Sequence, residues 1–143
     1  MKNILVAVDF LELTNRLLEM AAVFAEKFNA KIWLVHVAEP DPDFVGYEVG
    51  PQYIRDNVAK ELRQEHRELQ ALAKGLEEKG LNAEALLIQG YTAESLVEEA
   101  GDVKADLIIL GAAHHGKIFE SLFGSVWEDV VKKSKIPILV LPA

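Results

Sequence analysis

The chain has 143 residues, half of them apolar, which fits one domain with a proper core, and no second domain is expected. Fifteen Lys and Arg stand against 23 Asp and Glu, a net charge of -8 that disfavours nucleic acid or an anionic membrane as partner. Without any cysteine, disulfides, thiolate metal sites and cysteine nucleophiles are excluded.

Asn3 to Val8 reads as a strand whose run Ile4 to Val8 is apolar without a break, the kind buried on both faces of a parallel sheet, and Asp9 ends it. That run is too short for a signal-peptide core, and no run reaches membrane-spanning length, so a cytoplasmic protein is expected. From Leu13 to Phe28, Leu13, Leu17, Met20, Ala21, Phe24 and Phe28 recur at helical spacing, with Thr14 placed to cap. Lys31 to Val37 is the second strand. Ala38 to Gly50 mixes turn residues and acids with no period and reads as a mobile loop beside a strand end.

A long helix is expected from near Pro51 to about Gly80, with Ile54, Val58, Leu62, Leu69, Leu72 and Leu76 on one stripe. Ala83 to Ile88 is the third strand, Gly90-Tyr91 breaks it, and Thr92 is placed to cap a helix from Ala93 to Ala100. Asp106 to Leu110 is the fourth strand, a helix follows from Val126 to Ser134, and Ile136 to Leu141 is the last strand. Strands alternating with helices imply right-handed crossovers and an α/β fold, a parallel sheet with helices on both faces. Ligands of such folds bind beyond the carboxyl ends of the strands, where Asp9, Val37, Gly90 and Gly111 fall. Pro137 points to an edge strand, and Ile138-Leu139-Val140-Leu141 is too apolar to leave exposed there, so a homodimer pairing at that edge is expected.

Between the fourth strand and the last helix lies the stretch that carries the chemistry. The apolar run stops at Gly111, a loop of small residues and histidines follows, and Gly124-Ser125 opens an amphipathic helix. Glycine allows close backbone approach, and a helix start offers unpaired N–H groups and positive dipole to a phosphate. A Walker A loop fits the spacing Gly111-x4-Gly116-Lys117 but fails next, because Ile118 stands where a Ser or Thr would hold magnesium. The pair His114-His115 lacks a third metal ligand at any recognised spacing. A phosphoacceptor receiver domain is excluded, since Phe10 follows Asp9 where a second acid is needed and no acid ends the third strand.

A different spacing fits. Gly111-x2-His114-x9-Gly124-Ser125, followed by Val126 and a helix running into Lys132-Lys133-Ser134-Lys135-Ile136-Pro137, resembles the Gly-x2-Gly-x9-Gly-Ser/Thr signature of the universal stress protein (UspA-like) family. Ile4 to Phe10, Leu34 to Val37, Gly90 to Glu94 and Ala105 to Gly111 extend the resemblance over the whole chain, 1–143. It implies a Rossmann-like domain with a five-stranded parallel sheet of order 3-2-1-4-5, dimeric through its fifth strand. One branch of the family binds ATP or AMP, with or without magnesium. By that resemblance Asp9 meets the ribose or the adenine edge, and the backbone at Ala7 and Val37 meets the base. Gly111 lets the phosphates approach, and the amides of Gly124, Ser125 and Val126 hold them with the Ser125 hydroxyl.

His114 departs from the signature at its middle glycine. A histidine there costs on the order of 1 kcal/mol where a positive φ is required, and either blocks the phosphates or, protonated, pairs with them; Gly116 can absorb the turn. Leu11 also departs, standing where the family has a serine. The expected function is a dimeric nucleotide-binding module of the stress response with at most slow hydrolysis, because no residue is placed as a general base. The alternative is a stress protein without nucleotide that acts through protein contacts. Asp9 as a turn-capping residue, His36 as a hydrogen-bonded core residue, His66 as a packing residue and Phe44, Tyr47 and Tyr53 as loop packing are the quieter readings.

Overall fold

The computed structural model describes residues 1–39, 52–112 and 125–143. Among them run five strands, β1 (Asn3–Ala7), β2 (Lys31–Ala38), β3 (Asn82–Gln89), β4 (Leu107–Gly111) and β5 (Ile138–Leu141). They alternate with four helices, α1 (Thr14–Phe28), α2 (Gln52–Glu78), α3 (Thr92–Asp102) and α4 (Val126–Lys133). All strand pairs are parallel and the sheet order is β3-β2-β1-β4-β5, as the alternation and the resemblance imply.

Burial explains the uninterrupted apolar runs. Ile4, Leu5, Val6, Ile108 and Ile109 are wholly shielded, because the central strands are covered on both faces. Ile4, Val6, Ile32, Leu34 and Ile109 pack with Leu17 and Ala21 of α1 and Leu69 and Leu76 of α2. Leu5, Val35 and Ile108 pack with Leu96 of α3 and Val130 of α4. The period of two along each strand deals alternate side chains to these two layers. Each fully buried Leu or Ile contributes roughly 1.5–3 kcal/mol relative to exposure. The stripe on α2 is buried only in its second half, at Leu69, Ala73 and Leu76, while Val58 and Leu62 remain half-buried.

The helix ends depart from expectation. Thr14 does not cap α1: Leu13 holds the cap position without a side-chain bond, and Thr14 is already helical, its N–H donating to Leu11 O at 3.0 Å. The turn formed by that bond draws Thr14 into the helix, where its buried hydroxyl has no partner among the described residues. Thr92 likewise begins α3 rather than capping it. Tyr91 holds the cap position, and the carboxylate of Glu39, just past β2, accepts the Thr92 hydroxyl at 2.7 Å and the Thr92 N–H at 3.4 Å. The capping group therefore arrives from 53 residues away.

Two strand boundaries also move for identifiable reasons. Asp106 stands before β4, where its Oδ2 accepts the N–H groups of Lys2 at 2.6 Å and Asn3 at 3.0 Å and so fastens the start of β1. Both bonds hold its carboxyl below the usual carboxylate range. Pro137 precedes β5 rather than interrupting it; its carbonyl accepts the Ile108 N–H at 3.0 Å. β5 is an edge of the sheet, as its proline suggested. The expected loop at 38–50 lies outside the described residues from Pro40 onward.

Candidate functional site

Because all five strands are parallel, their carboxyl ends share one side of the sheet. β1 lies between β2 and β4, and the chain leaves β1 toward β2 and later returns to β4. The crevice between the ends of β1 and β4 is therefore the topological switch point, where open α/β sheets take ligands.

Ala7 closes β1 opposite Val35, and the Val8 N–H continues the ladder to Val35 O at 2.8 Å. Asp9 follows at the mouth of the crevice. Its Oδ1 accepts the Leu11 N–H at 2.9 Å, an Asx turn, so the carboxylate performs the capping task of its quieter reading. Phe10 completes the turn with φ of 62°. Val37, opposite Ile88, and Ala38 bring β2 to the same end. Gly111 closes β4 opposite Leu141. A Cβ on Gly111 would lie 2.8 Å from Leu13 Cδ1, the far end of a flexible side chain, so Leu13 at the start of α1 packs directly over Gly111.

Ser125 holds the cap position of α4 in an extended conformation, φ -97° and ψ 150°. Its side chain makes no cap bond, and its Oγ is buried with no partner among the described residues. A buried, unpaired hydroxyl at a helix start is costly, by about 1–3 kcal/mol, unless something occupies it. It can donate to a phosphate oxygen beside the unpaired N–H groups of the first turn, so the residues present fit a phosphate. Val126 is the first helical residue. Lys132 and Lys133 sit in the last turn, where they suit the dipole. Lys133 pairs with Glu94 of α3, whose carboxyl it holds below the usual range; both side chains are exposed.

Ala7, Asp9, Val37 and Gly111 thus share the carboxyl side of the sheet, with Ala7, Asp9 and Gly111 at the strands that border the switch point, and Ser125 with Val126 opens the helix that leads to the neighbouring edge strand. His114, Gly116 and Gly124 lie outside the described residues, as do Phe44 and Tyr47. Among the described residues no group of three His, Asp or Glu could hold a metal ion; the pair His114-His115 lies outside them. His36, expected as a hydrogen-bonded core residue, is half-buried and does make such a bond, to Val8 O at 2.7 Å. The signal for it in the sequence is one polar side chain inside an apolar strand, two residues from the strand's end. Glu39 carried no signal, because its partner is remote in sequence.

The model of the Universal stress protein family matches residues 1–142. The chain belongs to the universal stress protein family. A universal stress protein of Thermus aquaticus is 29% identical over 142 residues, covering 98% of each chain. The solved structure of the universal stress protein MJ0577, from Methanocaldococcus jannaschii, superposes with a TM-score of 0.82 at 28% identity, over 99% of this chain and 96% of that one. A universal stress protein of Archaeoglobus fulgidus, solved in complex with dAMP, shares the fold at a TM-score of 0.66 and 24% identity, over 98% and 97% of the two chains. Within the universal stress protein fold, the switch point just described lies between the carboxyl ends of β1 and β4.

Proposed function

We propose that this universal stress protein, a single unit over residues 1–143, binds an adenine nucleotide, ATP or AMP, across the carboxyl end of its sheet and serves as a binding and signalling module. The observation that carries this reading is the Ser125 hydroxyl, buried at the start of α4 without a partner among the described residues. A phosphate oxygen satisfies it, and the amides of Ser125, Val126 and Gly124 supply further donors. Gly111, His114 and Gly116 border the phosphates, the main chain at Ala7 and Val37 meets the base, and Asp9 accepts from the ribose hydroxyls. The dAMP complex of a protein with this fold supports adenine as the base. With a net charge of -8, backbone donors rather than a basic patch must supply the phosphate site.

Calorimetric titration with AMP and ATP, with and without magnesium, tests the reading. Binding is expected, weakened about tenfold in Ser125→Ala, the size of one charge-assisted hydrogen bond. No heat at millimolar nucleotide would defeat it. We further propose a homodimer through the free edge of β5, whose Ile138, Leu139 and Val140 are only half-buried. A monomer in sedimentation at micromolar concentration would exclude that.

Two observations favour the alternative, a universal stress protein that acts through protein contacts alone. Leu13 already packs over Gly111, and the Leu11 N–H already engages Asp9, so both residues have a place in the fold without a ligand. His114→Gly separates the readings: nucleotide binding that appears only in the variant would establish the alternative.

A further inference from the structure

His36 of β2 sits beside the turn, Val8 to Phe10, by which the chain leaves β1. Its Nδ1 lies 2.7 Å from the carbonyl oxygen of Val8. A carbonyl only accepts, so this contact assigns a ring hydrogen to Nδ1. The other nitrogen, Nε2, is 3.0 Å from Oε2 of Glu65 on α2. About a third of the Glu65 side chain is exposed, yet Oε2 itself is out of water and has no aligned hydrogen bond among the described residues. The Val8 carbonyl thus holds the ring at one edge, and the Glu65 carboxylate lies at the other. Phe10 packs on it with centroids 4.7 Å apart and planes tilted by 52°.

Val8 and Phe10 flank Asp9. The imidazole therefore grips the residue before Asp9 through a hydrogen bond and the residue after it through ring contact. Phe10 has φ of 62°, a region that a bulky side chain seldom adopts and that persists only where the surroundings over-determine it. Released from either grip, the turn would relax toward ordinary backbone angles and carry the Asp9 carboxylate with it. His36 itself is anchored in β2, next to the Val35 carbonyl that bonds the Val8 N–H, so the grip is mounted on the sheet.

We propose that His36 is a positioning residue for the turn at Val8 to Phe10: its Nδ1–H fixes the Val8 carbonyl and so sets the Asp9 carboxylate where a ribose can meet it, while Phe10 packs on its ring. The inference rests on the adenine-nucleotide reading for its consequence, though the geometry it concerns exists without nucleotide.

Two substitutions divide the donor from the ring. His36→Asn places an amide N–H near the Nδ1 position and removes the ring; His36→Phe keeps a ring against Phe10 and removes the donor. In calorimetry with AMP, His36→Phe is expected to weaken binding about tenfold, the equivalent of one ordinary hydrogen bond, and His36→Asn to stay within about threefold of the parent. Amide exchange of Leu11, whose N–H donates to Asp9, should quicken about tenfold in His36→Phe, an ordinary hydrogen bond's worth, and little in His36→Asn, both read without ligand. Equal exchange in the parent and both variants would overturn the proposal, as would equal AMP affinity in all three. Should the parent bind no AMP, the nucleotide reading falls and the exchange measurement alone decides the role of His36. If His36→Phe fails to fold, His36→Leu removes the same donor and is read in the same way.

Discussion

Phe10 occupies left-handed backbone at a cost of roughly 1–2 kcal/mol for an L-residue, and its ring contacts with His36 and the core beneath α1 offset that cost. Removing the ring exposes the balance. Phe10→Ala loses the contacts and keeps the strain, whereas Phe10→Gly loses the contacts and relieves it, so the glycine variant should be the more stable by about 1 kcal/mol in urea unfolding. The opposite order would mean that the turn is not strained. Thr14 carries a different conflict, a hydroxyl buried without a partner among the described residues. Thr14→Val removes the polar atom at nearly constant shape and should raise stability by about 1 kcal/mol; a loss of that size in thermal unfolding would show that the hydroxyl has a partner. Neither conflict is visible in the sequence. A phenylalanine after Asp9 carries no mark of positive φ, and a threonine at a helix start reads as a cap until Leu13 is seen to take the cap position to pack against Gly111.

At the level of elements, the strands were legible and their fastenings were not. Continuous apolar runs fix β1 and β4, and an apolar run broken at His36 fixes β2, because both faces of the sheet are covered, and the helical stripes fix α1 and the second half of α2. The start of α3 depends instead on Glu39, which bonds Thr92 across the gap between β2 and β3–α3. Glu39→Ala should lower stability by about 1 kcal/mol, the usual value of a cap, with the loss centred on amide protection in the first turn of α3. An unchanged urea midpoint would remove that role. Asp106 fastens β1 to the start of β4 through two main-chain N–H groups, which depress its pKa. A depressed carboxylate pKa contributes stability that is present above the unfolded-state value and is lost as pH falls through the folded-state value. Asp106→Asn should therefore melt below the parent at neutral pH, and the gap should close in acid, once the parent's own carboxyl is protonated. A gap that stays constant into the acid range would show that charge has no part in the fastening.

The whole molecule is a parallel sheet whose switch point lies between β1 and β4, and that much follows from the alternation of elements and from the family signature. The candidate site was read as a set of strand ends and a helix start, since Asp9, Gly111 and Ser125 each mark a place where the apolar pattern stops, and the elements do end there. What joins them was not, because His36 to Val8, Leu13 to Gly111 and Glu39 to Thr92 are contacts between elements distant in sequence, set by packing rather than by local preference. The central claim is that an adenine nucleotide lies across these strand ends with its phosphates at the start of α4. Amide chemical-shift mapping during titration with AMP tests it most directly. The account predicts saturable shifts concentrated at Ala7 to Asp9, Val37, Gly111, Ser125 and Val126, and it is contradicted if millimolar AMP leaves those amides unmoved or moves a different surface instead.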